Sequence, residues 1–127
     1  VYVYRENGHI VGYAVPVSGQ GFWAPIRGVV GVSSDLKTIV GIAFYEQNET
    51  PGLGARIAEP QFRKQFEGLR IGQLPAPIGI RPTSVTLAEN EVHAITGATQ
   101  TSVRLEKLIN ENLSAWLEKM QQQGGAQ

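Results

Sequence analysis

Seven apolar residues near the C-terminus decide much of what this chain can become. Leu105, Leu108, Ile109, Leu113, Trp116, Leu117 and Met120 recur at alternating three- and four-residue spacing. That spacing lays them along one face of an α-helix, predicted from about Thr99 to Met120. A helix with such a stripe is unstable alone in water and must lay it on another apolar layer. The rest of the chain has to supply that layer, and its patterning is that of strands.

Tyr2 to Glu6 and His9 to Val17 read as a hairpin, because Asn7-Gly8 between them tolerates the positive φ angles of a tight turn. Pro16 has no N–H to give a ladder, so it places the second strand at a sheet edge or ends it. Ser18-Gly19-Gln20-Gly21 is a flexible connection. Gly28 to Val32 and Thr38 to Tyr45 read as a second hairpin turning at Ser33 to Lys37, and their Val/Ile content predicts central strands. Glu59 to Gly68 reads as a short helix with Pro60 at its first position, Gly68 just past its end, and Phe62 and Phe66 docked together. Leu69 to Pro82 reads as an irregular loop and Thr83 to Ala88 as a further strand, with Val85 and Leu87 on one face. Glu89 to Glu91 reads as a turn. The expected architecture is α+β: a mostly antiparallel sheet of hairpins, a short helix, and a long C-terminal helix packed on it. One domain over residues 1–120 and a frayed polar tail over 121–127 complete it.

Several function classes are excluded. Lysine plus arginine equal aspartate plus glutamate at 11 each, so no basic surface points to nucleic acid or an anionic membrane. There is no cysteine, and hence no disulfide, thiolate nucleophile or iron–sulfur ligand. His9 and His93 are the two histidines and have no ligand spacing, so no metal is expected. No apolar run approaches the roughly 20 residues of a membrane helix. Walker, dinucleotide-binding and nucleophile-elbow motifs are absent, and no catalytic residue is nominated.

The long helix opens on Ile95-Thr96-Gly97-Ala98-Thr99-Gln100-Thr101-Ser102. A helix start offers unpaired N–H groups and the positive end of the dipole, a seat for phosphate. Gly97 and Ala98 let a ligand approach the backbone. Thr96 and Thr99 are equally plausible N-caps, and the pattern alone favours capping. Well upstream, Glu49-Thr50-Pro51-Gly52-Leu53-Gly54 reads on its own as a Pro-Gly turn. Trp23, in Gly21-Phe22-Trp23, stacks on a ligand or packs in the core, and size alone favours the core. Arg104 and Lys107, early in the helix, either face a bound phosphate or are solvated.

Taken together and in this order, Thr50-Pro51-Gly52-Leu53 and Thr96-Gly97-Ala98-Thr99 resemble the FMN-binding domain shared by two components of membrane complexes. These are NqrC of the sodium-translocating NADH:quinone oxidoreductase and RnfG of the Rnf electron transport complex. The likeness extends from Gly19 through the C-terminal helix. It implies FMN esterified through its phosphate to Thr99 by a dedicated flavin transferase. Thr50 and Leu53 then line the flavin, with Glu49, Gly52, Thr96, Gly97, Ala98 and Trp23 around it. It also implies electron transfer within an Nqr- or Rnf-like ion-translocating membrane complex, on its extracytoplasmic (periplasmic) face. An N-terminal membrane anchor beyond the present sequence would belong to such a component. One position departs from the family pattern. His93 stands where an Asp usually precedes the attachment motif, with Glu91 two residues away as a substitute, so non-covalent FMN is an alternative. Two other functions compete: a stand-alone FMN-dependent reductase of a small acceptor, and a flavin-free interaction module of the same fold.

Overall fold

The computed structural model describes residues 1–125. Its main layer is a four-stranded antiparallel sheet in the order β1-β2-β3-β4, comprising β1 Tyr2–Glu6, β2 His9–Gln20, β3 Pro25–Ser33 and β4 Ile39–Glu46. Asn7 and Gly8 both take positive φ, 52° and 81°, as the β1–β2 turn requires. β2 does not end at Pro16 but continues to Gln20. Its pairing with β1 stops at Tyr2↔Ala14, so Pro16 faces a locally open edge and needs no donor on that side. Of the two strands expected in the sheet centre, only β3 lies between neighbours; β4 is an edge. Residues 68–70 partly cover that edge, with Gly68 N–H donating to Ile39 C=O and Ile39 N–H to Leu69 C=O, each at 2.8 Å.

The helix predicted after Glu59 forms as α1 Pro60–Arg63, prolonged by a 3₁₀ turn over Lys64–Phe66. Phe62 and Phe66 meet edge-to-face at 5.5 Å, and Gly68 turns the chain at φ +80°. The strand predicted over Thr83–Ala88 does not form. Strands appear instead at β5 Gly79–Arg81 and β6 Glu91–His93, paired in parallel as a second, two-stranded sheet. Residues 83–88 are almost wholly exposed, and their apolar residues have no sheet neighbour to pack against.

The last helix, α2 Thr99–Gly125, starts where predicted but runs past Met120. The polar tail expected from Gln121 is therefore helical to Gly125, and Ala126 and Gln127 lie outside the described residues. Leu105, Leu108, Ile109, Leu113 and Leu117 are all buried against Val15, Val17, Ile26, Val30 and Val32 of the sheet. Burial of each such side chain contributes about 1.5–3 kcal/mol before chain entropy is counted. Trp116, half-buried, closes the stripe edge-to-face on Tyr13 at 5.1 Å.

Polar clamps fix the helix against the second sheet. Asn110 uses its amide twice on Ile78, accepting from its N–H at 3.0 Å and donating to its C=O at 2.9 Å. Glu106 accepts from Ile80 N–H at 2.6 Å and pairs with Arg81 at 2.7 Å. Arg81 also holds Glu91 at 2.8 Å. These contacts set the rotation of α2 about its axis, and with it where its N-terminus points. No described helix is long and apolar enough to cross a membrane.

Candidate functional site

The 50–54 bend is a β-turn closed by Leu53 N–H donating to Thr50 C=O at 3.0 Å. Pro51 occupies its second position and Gly52, at φ +76°, its third, the arrangement of a type II turn. Thr50 C=O accepts a second bond from Ala55 N–H at 3.1 Å, which leads into a 3₁₀ turn over Gly54–Ala58. The bend therefore presents Thr50 and Leu53, both exposed, on a rigid support.

Gly97, at φ +82°, turns the chain from β6 into α2. Ala98 C=O accepts the first helical bond, from Ser102 N–H at 3.0 Å, which makes Ala98 the N-cap. Among the described residues, neither the Thr96 nor the Thr99 hydroxyl accepts a bond from a first-turn N–H, so capping does not explain either threonine. Nor do the amides of Thr99, Gln100 and Thr101 find an acceptor among those residues, and the Thr99 side chain is exposed beside them.

The bend and the helix start face each other. Thr50, Leu53, Gly54, Phe22 and the run Gly97 to Thr101 line one open cleft of about 250 Å³. Five residues nominated from sequence thus meet in it: Thr50, Leu53, Gly97, Ala98 and Thr99. Gly52 does not line this cleft and acts by shaping the turn. Thr96 does not line this cleft but two neighbouring hollows: one of about 370 Å³ with Arg56 and His93, another of about 290 Å³ that shares Gly97 and Thr99 with the cleft.

Glu49 is 4% exposed and stands behind the cleft wall. Its Oε1 accepts from Phe22 N–H at 2.8 Å and from the Thr101 hydroxyl at 2.9 Å, and its Oε2 from Trp23 N–H at 3.1 Å. Trp23 is not the core aromatic that its size suggested. It is 64% exposed, tilts against Phe22 with ring centroids 4.8 Å apart, and donates its indole N–H to Thr50 Oγ1 at 3.1 Å. Phe22, Gly54, Gln100 and Thr101 are cleft residues that sequence reasoning did not nominate. Phe22 carried a signal as the neighbour of Trp23, whereas Thr101 had none, because its partner lies 52 residues away.

Arg104 is half-buried, with its guanidinium 5.9 Å from the Phe22 ring centre, a cation–π contact. Lys107 pairs loosely with Glu111 at 3.9 Å, both exposed. His93 places Nε2 3.0 Å from Val85 C=O, and its backbone is clamped on both sides by the Gln65 amide. Glu91 is already committed to Arg81 and to Ala88 N–H. The Ala88 amide, followed by the charge and hydrogen bond of Arg81, holds its carboxyl below the usual carboxylate range.

The family profile described as the FMN-binding domain matches residues 21–114, the stretch that carries both walls of this cleft. The chain belongs to the FMN-binding domain family. FMN, the cofactor expected from the paired motifs, is the one that names it. Among curated relatives, NqrC of the Na(+)-translocating NADH-quinone reductase of Vibrio anguillarum is 36% identical over 105 residues, 80% of this chain and 41% of its own length. The corresponding protein of Pasteurella multocida is 32% identical over 117 residues, 91% and 44% of the two chains. The chain thus spans about two-fifths of the length of these relatives. The crystal structure of the Parabacteroides distasonis NqrC superposes with a TM-score of 0.80 at 32% identity, covering 91% of this chain and 59% of that one. Shewanella oneidensis NqrC shares the fold, with a TM-score of 0.72 at 23% identity over 91% of this chain and 58% of its own.

Proposed function

We propose that this FMN-binding domain is an electron-transfer module carrying FMN as a phosphoester on Thr99. It would work as part of the NqrC component of a sodium-translocating NADH:quinone reductase, beside the other components of that membrane complex and on its extracytoplasmic face. The observation that carries the reading is the exposed Thr99 hydroxyl, set among three unpaired first-turn amides and opening onto the cleft shared with Thr50 and Leu53. The names of the curated and structural relatives support the choice of complex.

The donor set suits the cofactor. The amides of Thr99, Gln100 and Thr101, at the positive end of a long helix, meet the needs of a phosphate. Leu53, Phe22 and Ala98 offer apolar cover for a planar ring, while Thr50 and Gln100 offer hydrogen bonds to its polar edge. Bound FMN supplies one- and two-electron redox chemistry that no side chain here possesses. The protein's part is to hold, orient and partly desolvate it. The Thr99 Oγ–P linkage removes dissociation from the cycle, so a cleft this open need not hold its cofactor by affinity. A dedicated flavin transferase would form that bond. The donor would carry the FMN phosphate in a phosphoanhydride, as in a flavin dinucleotide. As Thr99 Oγ joined that phosphorus, the phosphoanhydride P–O bond would break, the nucleoside monophosphate would leave and the hydroxyl proton would be released. The chain would gain the mass of one FMN less one water.

The test is co-expression with a flavin transferase, followed by intact-mass measurement. That mass gain, lost in Thr99→Ala, is the expected result. An unmodified wild-type chain that also fails to bind free FMN would overturn the proposal. Tight but purely non-covalent FMN would overturn only the ester.

A further inference from the structure

The Glu49 carboxylate is buried and, among the described residues, has no positive partner, an arrangement that persists only where hydrogen-bond donors meet its oxygens. Three donors do so, two on Oε1 and one on Oε2, and they come from pieces of chain far apart in sequence. Phe22 N–H and Trp23 N–H belong to the loop between β2 and β3, the Thr101 hydroxyl belongs to the first turn of α2, and Glu49 itself leads into the 50–54 bend. All three pieces line the cleft through Phe22, Thr101 and Thr50.

Beyond Glu49, the loop is held from outside by the Trp23 indole on Thr50 Oγ1 and by Arg104 over the Phe22 ring. Within it one backbone bond forms, Gly21 N–H to Ala24 C=O at 2.9 Å, and both aromatic side chains are exposed. The joint is also tightly filled. A Cβ on Gly54 would stand 2.9 Å from Glu49 Cβ and collide with the Thr101 hydroxyl. A carboxylate suits this node better than an amide. Two backbone N–H groups and a hydroxyl all need an acceptor, and glutamine would turn an NH₂ group toward at least one N–H.

We infer that Glu49 is a positioning residue: without entering the cleft, it holds the Phe22–Trp23 loop and the first turn of α2 in the arrangement that makes the cleft. Arg104 over the Phe22 ring and the Trp23 indole on Thr50 complete the ordering that starts at this carboxylate. The inference rests on the cleft being the FMN seat only for its second readout.

The first readout uses the FMN-free full chain and follows amide hydrogen exchange at Phe22 and Trp23 by NMR. In Glu49→Gln at least one of these amides exchanges about tenfold faster, the factor expected for loss of one charge-assisted hydrogen bond. The far-UV spectrum and the cooperativity of melting stay those of the parent. The second readout is visible-region circular dichroism of bound FMN, compared in Thr101→Val and Thr101→Ser. Valine keeps the shape of Thr101 but removes its hydroxyl, so the flavin signal falls, and serine restores it. If Glu49→Gln does not fold, this pair alone decides.

Unchanged exchange at both amides in a folded Glu49→Gln overturns the inference. So does a Thr101→Val protein whose flavin signal matches the parent's. Failure of the parent to take up FMN overturns the proposed function instead, and the amide exchange still judges Glu49.

Discussion

Replacing Gly97 separates two roles that one residue plays at the mouth of the cleft. Its φ of +82° lies in the left-handed region, where an ordinary L-residue costs about 1–2 kcal/mol. A Cβ there would also approach Leu53 Cδ2 at 3.3 Å, close enough to push an exposed side chain but not to break the backbone. Gly97→Ala should therefore lose about 1–2 kcal/mol, nearly all of it from the backbone. For a chain of this size that lowers the melting temperature by roughly 3–10 °C. Asparagine tolerates the left-handed region better than alanine yet is bulkier, so the two variants part company. In urea titrations at constant m-value, stability should fall in the order Gly, Asn, Ala. FMN uptake should fall in the order Gly, Ala, Asn, because uptake depends on the space beside Leu53. A melt of Gly97→Ala within about 1 °C of the parent would refute the backbone argument. Equal losses for alanine and asparagine would do the same. Identical orders in both assays would mean that stability, not the cleft, controls uptake.

Two more outcomes follow from the polar clamps. Asn110→Ala leaves the N–H and C=O of fully buried Ile78 without partners, at a cost of roughly 2–4 kcal/mol measurable as a lower urea midpoint, whereas Glu106→Gln should cost much less because its Ile80 bond can survive. The Glu91 carboxyl lies below its ordinary value of 4.5 because Ala88 N–H, and then Arg81, favour the charged form. A depressed carboxylate adds stability that is complete above 4.5 and fades as pH falls through its folded value. The melting-temperature gap between the parent and Glu91→Gln should therefore be open at pH 7 and close progressively below about pH 4.5. A gap that stayed constant down to about pH 2 would contradict the assignment.

Local pattern and long-range packing divided the work along a physical line. Elements whose signal is periodic or conformational were already legible in the order of residues. The Leu105–Leu117 stripe can be buried only as a helix, Asn7-Gly8 admits a tight turn, and Pro60 and Gly68 bracket a helix. In the Thr96–Thr99 run small residues sit where a long helix must begin. Each follows from forces acting within a few residues, so each is written locally. What packs against what was settled in three dimensions. Thr83–Ala88 alternates like a strand but finds no partner, while Glu91–His93 becomes a strand because Gly79–Arg81 lies alongside it. β4 is as apolar as β3 yet ends up at the edge, since composition reports burial and not neighbours. Trp23 is held at the surface by a carboxylate 26 residues away, and that same carboxylate reaches Thr101 across 52 more. Periodicity says which face of an element is buried. The contacts that bring the Pro51–Gly52 bend up to the opening of α2 are made between distant residues, and hydrogen bonds of that reach leave no trace in the local order of amino acids.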